Sequence, residues 1–395
     1  MMDAEHPRPS AGRHRWRAGP EARALILVTA VLIAFGLATL YSASAMLAVE
    51  EGRGSAFFLV RQAGGALFGV VAFAVVARID AERWRRWAWP LMGIVLVLML
   101  LVILPFTESI APRIHGSRRF VFGSSLQPSE IAKLAIVIWT SMLVVRKGET
   151  LRRLTKGLLP FLVVAATLSL LALLEPDLSA ALMFALIMGI VLFAGGARIG
   201  HFVVLGALAV PVLWQQLERL QYALLRMTSF IDPGAAPREV SYQLQQSLIA
   251  VGSGGLLGVG FGEGRQQNGF LPLPYNDFIA SNIGEEWGFI GLSGVMLAFA
   301  LYGYLGFRIA RNARSPFQEL TAVGLTVTTI ITAYLHVGVV IGLLPTTGLT
   351  LPFISYGRSN LVLSLVMTGI LVNIGSSRER VGAEGPTDPT GTGQR

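Results

Sequence analysis

"ALILVTAVLIAFGLATLYSASAM", residues 24–46, runs for 23 positions without a charged side chain. As a helix rising 1.5 Å per residue it reaches about 35 Å, more than the roughly 30 Å hydrocarbon core of a bilayer. The run therefore reads as a membrane-spanning helix. The tripeptide "ASA" at 43–45 resembles a signal-peptidase site. The run before it exceeds the roughly 7–15 residues of a signal peptide's apolar region, so it is read as a retained span.

The whole chain agrees with its opening run. Of 395 residues, 53% are hydrophobic and only 14% charged, with a mean hydropathy of +0.62. Soluble domains carry about 25% charged residues, so an ordinary soluble fold is excluded. Net charge is +9, which in a soluble protein would raise nucleic-acid binding. Here the arginines cluster between apolar runs, where they report orientation in the membrane. The absence of cysteine removes disulfides, thiol catalysis and cysteine metal sites.

Further runs of spanning length lie at about 58–78, 87–106, 130–146, 157–174, 178–197, 199–216, 283–308, 319–343 and 353–375. The expectation is an all-α integral membrane protein of about ten transmembrane helices, residues 24–377, between a basic tail at 1–23 and a disordered tail at 378–395. Placing the N-terminus in the cytoplasm puts "RIDAERWRR", "RKGETLRRLTK", "GGARIG", "RIARNAR" and "SSRERVG" on the same side, and every one is basic. That matches the positive-inside rule with both termini cytoplasmic. The exception is "APRIHGSRRF", whose arginines on the opposite side need another explanation. A long extracytoplasmic loop, 217–282, separates the seventh and eighth spans. Within it "QYALLRMTSFIDP" reads as an amphipathic helix at the membrane surface.

Four clusters could carry chemistry. In "LPLPYNDFIASNIGEEWGFIG", residues 271–291, Asp277 precedes a span, with Glu285 and Glu286 suited to the positive end of its helix dipole. In "HGSRRFVFGSSLQPSEIAKLA", Ser129 can cap a helix on which Glu130 and Lys133, three apart, share a face and can pair. Arg118 and Arg119 suit a phosphate or pyrophosphate through bidentate geometry, or a lipid headgroup. In "LLEPDLSAAL", Glu175 and Asp177 either turn the chain and cap the next helix or bind a ligand. "LLPTTGLTLPFISYGRSNL" reads as a re-entrant or broken segment, tolerated at membrane depth where it lines a cavity. The glycine-rich stretch 252–264 lacks both nucleotide-loop spacings, so no nucleotide cofactor is expected. His115 and His201 lack zinc-site spacing.

"QPSEIAKLA", "EPDLSAAL", "YQLQQSLIAVGSGGLLGVGFGEGRQQNGFLPLPYNDFIASNIGEEWGFIG" and "LPTTGLTLPFISYG" stand in the order seen in the SEDS family (shape, elongation, division and sporulation) of bacterial cell-wall polymerases. The resemblance spans about 24–377, and "GLTLPFISYG" is more similar to the division branch than to the elongation branch. It implies a peptidoglycan glycosyltransferase in the bacterial cytoplasmic membrane. Such an enzyme polymerises lipid II at the outer face and works with a class B penicillin-binding protein and the division machinery.

The family's essential aspartate falls on Asp277, in "PLPYNDFIAS". Tyr275 stands where the family has histidine, Ala280 where it has phenylalanine, and Arg358 where it has glycine. The reaction needs a base for the acceptor's 4-hydroxyl proton and positive charge for the departing pyrophosphate. Asp277 is the candidate base, and Arg118, Arg119 and Lys133 are candidates for the pyrophosphate, with Glu130 orienting Lys133. Glu175 and Asp177 are candidates to hold a divalent cation, Mg or Mn, or to order the neighbouring loops. Ser355 of the re-entrant motif completes the candidate substrate-binding set. Three other readings stay open: a polymerase of the elongation branch, a lipid II flippase, whose essential charges should line a path through the midplane, and a scaffold that recruits a synthase.

Overall fold

The computed structural model describes residues 14–104, 106–107, 111–112, 118–121, 126–200, 202–203, 230 and 238–380. Ten helices are described: α1 (Pro20–Glu50), α2 (Phe57–Val76), α3 (Arg83–Ile103), α4 (Pro128–Lys147), α5 (Leu159–Leu174), α6 (Leu178–Ala194), α7 (Arg238–Gly254), α8 (Ile279–Arg311), α9 (Pro316–Val340) and α10 (Arg358–Ile374). Among them α1–α5, α8 and α9 are long and apolar enough to cross a membrane, and α6 and α10 are shorter apolar helices. The expected span at 199–216 and the surface helix in "QYALLRMTSFIDP" lie almost entirely outside the described residues.

Local chemistry explains the boundaries. Proline occupies the first helical position of α1, α4 and α9, where its fixed φ suits a helix and its missing N–H costs nothing. Ser315 caps α9 by accepting from the Gln318 amide at 3.2 Å. Ser129 does not cap α4. Because Pro128 already starts the helix, Gln127 takes the cap position and makes no side-chain cap bond, which leaves Ser129 in the first turn.

α4 sits in the centre of the bundle, buried almost continuously from Ala132 to Val144. It packs against α3, α6 and α9, while α10 lies on α2 and α8 on α1 and α9. Small residues set the close approaches, as expected where lipid supplies no hydrophobic drive between helices. A Cβ on Gly324 of α9 would lie 2.6 Å from Val137 of α4 and 2.8 Å from Val191 of α6. Outward positions such as Leu67, Phe68 and Leu297 are exposed and face the lipid in this reading.

Two elements differ from the sequence expectation. Strands β1 (His14–Ala18) and β2 (Ser376–Arg380) pair antiparallel, Ala18 opposite Ser376, so the start of the second tail is ordered against the first. This pairing holds both ends of the described chain on one face of the bundle. The expected span at 353–375 begins instead at Arg358. Residues 341–357 form a non-helical segment in which Leu351, Phe353 and Ile354 are buried. α1 passes it at Gly36, where a Cβ would meet the Ile354 Cα and the Phe353 carbonyl oxygen at 2.7 Å.

α8 is broken at Gly288, whose φ of 64° and ψ of −160° leave the helical region. The glycine-rich stretch after α7 repairs the break. The Phe289 and Ile290 amides donate to the carbonyls of Gly255 and Leu256, and the Val259 and Gly260 amides donate to those of Glu285 and Glu286. Backbone groups freed within a membrane helix are thus satisfied by another segment, the condition for tolerating such a break.

Candidate active site

On the face opposite the paired termini, the starts of α4, α6 and α10 come together. Gln127, Ser129, Glu130 and Lys133 of α4, Asp177, Ala180, Met183 and Phe184 of α6, and Gly348, Leu349 and Thr350 of the re-entrant segment line one open cleft. The Gln127 amide donates to Ser359 Oγ at 3.1 Å, tying the start of α4 to that of α10. The free N–H groups and dipoles at helix starts favour negative charge, so this end of the bundle suits an anion.

Lys133 Nζ lies 2.8 Å from Glu130 Oε2, and both side chains are about nine-tenths buried. The expected pair therefore forms, inside the cleft wall. Asp177 caps α6 by accepting from the Ala180 amide at 3.0 Å while also lining the cleft.

Asp277 precedes α8 and lies beside the cleft, at Gly348. A Cβ on Gly348 would stand 3.8 Å from Asp277 Oδ2, an ordinary van der Waals distance, so that oxygen lies next to a cleft-lining residue. The loop before α8 is fastened to the re-entrant segment. Ser355 Oγ donates to the Asn276 carbonyl at 2.8 Å and accepts from the Leu351 amide at 2.8 Å, and the Tyr356 amide donates to the Tyr275 carbonyl at 2.9 Å. Ser355 thus spends its hydroxyl within the protein, holding the residue before Asp277. Gln62 of α2 braces the same segment, donating to the Ser355 carbonyl and accepting from the Gly357 amide. His336 Nδ1 of α9 makes a 2.7 Å hydrogen bond with the Leu349 carbonyl.

Tyr275 fills its position with an aromatic cluster. Its ring lies 4.7 Å from that of Phe58 and 5.6 Å from that of Tyr356, and burial pushes its hydroxyl up to about 12. Its ring forms a wall with those of Phe58 and Tyr356. Arg358 is the first residue of α10, and its side-chain carbons lie over Gly65 of α2.

The two arginines are placed differently from the acids. Arg118 Nη1 donates to the Leu104 carbonyl at 3.0 Å, and Arg119 donates to the Glu175 and Pro176 carbonyls at 3.3 and 2.6 Å. Both hold backbone at the ends of α3 and α5, and neither is among the cleft-lining residues. Glu175 is 2% exposed, and neither carboxyl oxygen has a hydrogen-bond partner. Burial, reinforced by Asp177 and opposed by Arg119, raises its pKa to about 8. Glu175 thus holds its proton more tightly than a free carboxyl does. Among the described residues, no three His, Asp or Glu side chains gather as a metal cage.

Gln62 and His336 were not read as site residues from the sequence; the signal that could have found Gln62 is a polar side chain within an apolar run. Glu285 and Glu286 are buried in the second turn of α8, beyond the first turn where the dipole argument applies. They bind loop amides instead.

These features define a polytopic membrane protein with a charged cleft at one face of its bundle. The profile of the family described as cell cycle protein, covering FtsW, RodA and SpoVE, matches residues 22–380, and the chain belongs to that family. A relative from Trichlorobacter lovleyi, named probable peptidoglycan glycosyltransferase FtsW, is 40% identical over 352 residues, 89% of this chain and 92% of its own. Stage V sporulation protein E of Bacillus subtilis is 36% identical, covering 89% and 95%. A chain from a peptidoglycan synthase complex, solved in work on the structural coordination of polymerization and crosslinking, superposes with a TM-score of 0.74 at 27% identity, covering 89% of this chain and 97% of that one. The rod shape determining protein RodA of Thermus thermophilus shares the fold, with a TM-score of 0.63 at 24% identity, covering 93% and 98%.

Proposed function

We propose that this chain is a peptidoglycan glycosyltransferase that polymerises lipid II during cell division, at the outer face of the bacterial cytoplasmic membrane, with both termini inside. The observation that carries the reading is the cleft lined by the buried Glu130–Lys133 pair and Asp177, with Asp277 beside its Gly348 edge, at the end of the bundle where helix starts favour an anion. The charges gather at one face, which favours chemistry there over translocation through the midplane.

In this mechanism Asp277 takes the proton of the acceptor's 4-hydroxyl as that oxygen attacks the anomeric carbon of the donor sugar. The bond from that carbon to the lipid pyrophosphate breaks, and the pyrophosphate leaves with the electron pair. Lys133, held by Glu130, and the backbone amides at the helix starts stabilise the charge that develops. Arg118 and Arg119 act one step back, by holding the loops that frame the cleft. Asp177 of the cleft wall, together with the phosphates of the substrate, would hold a divalent cation, Mg or Mn. The cation would supply further neutralisation of the leaving group. A class B penicillin-binding protein is the proposed partner, on the strength of the synthase complex to which this fold is similar.

The test is polymerisation of purified lipid II by the reconstituted chain with its partner, native against Asp277→Asn, at matched folding and complex formation. Strands from the native protein and none from the variant support the polymerase and the base together. Equal strand yields remove Asp277 from the role of base. No strands from either, with protein-dependent passage of labelled lipid II across liposomes, replaces this reading with the flippase.

A further inference from the structure

The loop that delivers Asp277 to the cleft has a second anchor, away from Ser355 and on the other side of the loop. Glu285 Oε1 accepts from the Arg265 amide at 2.9 Å and from the Gln266 amide at 3.3 Å, and its Oε2 accepts from the Gln266 amide at 3.2 Å. Glu286 Oε1 accepts from the Gly262 amide at 3.1 Å and from the Ser42 hydroxyl of α1. Ser42 also reaches Gln267 Oε1 at 3.4 Å. Residues 262–267 are therefore held on α8 and α1 almost entirely by two carboxylates buried to 2% and 1% exposure. From there the chain runs through a short turn, with the Leu271 amide donating to the Gln266 carbonyl, to Tyr275 and Asp277.

Two buried carboxylates side by side would be an expensive way to fill space. Glu285 is instead matched on both oxygens to main-chain amides of the loop, and Glu286 accepts on Oε1 from one loop amide and the Ser42 hydroxyl while its Oε2 is buried without a partner. The backbone of the same loop is laced to the break at Gly288, so the lacing sets where the loop lies and the carboxylates fix its far end. Ser42 adds α1 to the assembly, the helix that also passes the re-entrant segment at Gly36. The two walls that frame Asp277, its own loop and the re-entrant segment, are thus referred to one helix.

We infer that Glu285 and Glu286, together with Ser42, form an acceptor clamp that positions the loop carrying Asp277, and that they are positioning residues for strand synthesis, working as hydrogen-bond acceptors. The inference rests on the polymerase reading above and assigns these residues no contact with substrate. An acceptor role makes a prediction that a role in proton transfer does not. Glutamine keeps Oε1, which in each case accepts two of the bonds, so Glu286→Gln preserves its bonds, Glu285→Gln keeps those to Oε1 but sets a donor against the Gln266 amide where Oε2 accepted, and the alanine variants remove them all.

The experiment measures strand synthesis from lipid II by the full chain with its partner, alongside hydrogen exchange of the loop amides. Glu285→Ala is expected to lower kcat by about 100-fold, the scale of a 1 Å misplacement of a reacting group, with KM unchanged. Exchange at Arg265 and Gln266 should rise with it, and Glu286→Ala should expose the Gly262 amide in the same way. Glu286→Gln is expected to keep native protection and most of the native rate, and Glu285→Gln to fall between the native protein and its alanine variant in both. Ser42→Ala, which leaves both carboxylates in place, guards against misfolding of the alanine variants. It should cost about tenfold in rate, the equivalent of one hydrogen bond to a charged group.

Glutamine variants as inactive as the alanine ones, with loop amides still protected, overturn the acceptor role. Alanine variants with native rates and native exchange overturn the clamp itself. If the native chain makes no strands, the polymerase reading fails, and the exchange measurements alone still decide whether the clamp exists.

Discussion

Glu175→Gln is expected to make the protein more stable, by an amount that grows with pH. The carboxyl of Glu175 is buried at the turn between α5 and α6 with both oxygens unpartnered, and its pKa stands at about 8 against an ordinary 4.5. An acid whose pKa is raised on folding binds its proton more tightly in the native state than in the unfolded one. Stability is therefore lost as pH rises from 4.5 to about 8, and no more is lost above that. At 1.36 kcal/mol per pH unit, the cost is about 3 kcal/mol at pH 7 and approaches about 5 kcal/mol above pH 8. Glutamine has the same shape and leaves comparable polar atoms unpaired, but it does not titrate. The assay is the melting temperature of native and variant protein in the same detergent from pH 4.5 to 9, followed by tryptophan fluorescence. The two curves should meet near pH 4.5, diverge through neutrality and run parallel above about pH 8. Subtracting one from the other cancels every other titrating group except those coupled to Glu175, namely Asp177 and Arg119. A gap that stays constant across the range would refute the reasoning, because it would mean that Glu175 ionises as easily in the fold as outside it.

Glu130→Gln and Lys133→Met should each destabilise the chain by about 3–5 kcal/mol, since each strands one buried charge. The double variant should regain most of that in a thermal melt but should not regain binding of lipid II, which separates the pair's structural role from the role of Lys133 in the cleft. Ser355→Ala orphans the Leu351 amide or leaves the Asn276 carbonyl short of a donor, at about 1–3 kcal/mol for each buried group left unsatisfied. Strand synthesis should fall along with the melting temperature. Gly258→Ala should collapse activity, because φ there is +83° and a Cβ would lie 2.1 Å from the Glu286 carbonyl oxygen. Gly252→Ala in α7, with nothing within 4 Å, should be tolerated or slightly stabilising, and both outcomes can be read from melts and strand yields.

The apolar runs carried the architecture because a span must be long, uncharged and internally hydrogen-bonded, and all three properties are local. The same holds for the starts of α4 and α9, where proline and serine act within a few residues, although Pro128 rather than Ser129 proved decisive at α4. The Glu130–Lys133 pair was legible because residues three apart on a helix are neighbours wherever that helix packs. Asp277 could be singled out only by its motif. Nothing in the spacing says that it lies beside Gly348, 71 positions further along the chain.

What the sequence by itself determined, then, is a membrane bundle and the identity of the charged groups gathered at one end of it. The tertiary structure decided which of those groups share a cleft and which are spent on the protein. Arg119 could have served a pyrophosphate by its chemistry, yet its donors meet the Glu175 and Pro176 carbonyls. Ser355 could have met substrate, yet its hydroxyl holds Asn276. Glu285 and Glu286 could have been dipole partners, yet they hold a loop from about twenty residues upstream, by the separations of their hydrogen bonds. Donor and acceptor capacity is written in the residue type, but its partner is set by segments far apart in the chain, whose meeting depends on how whole helices pack.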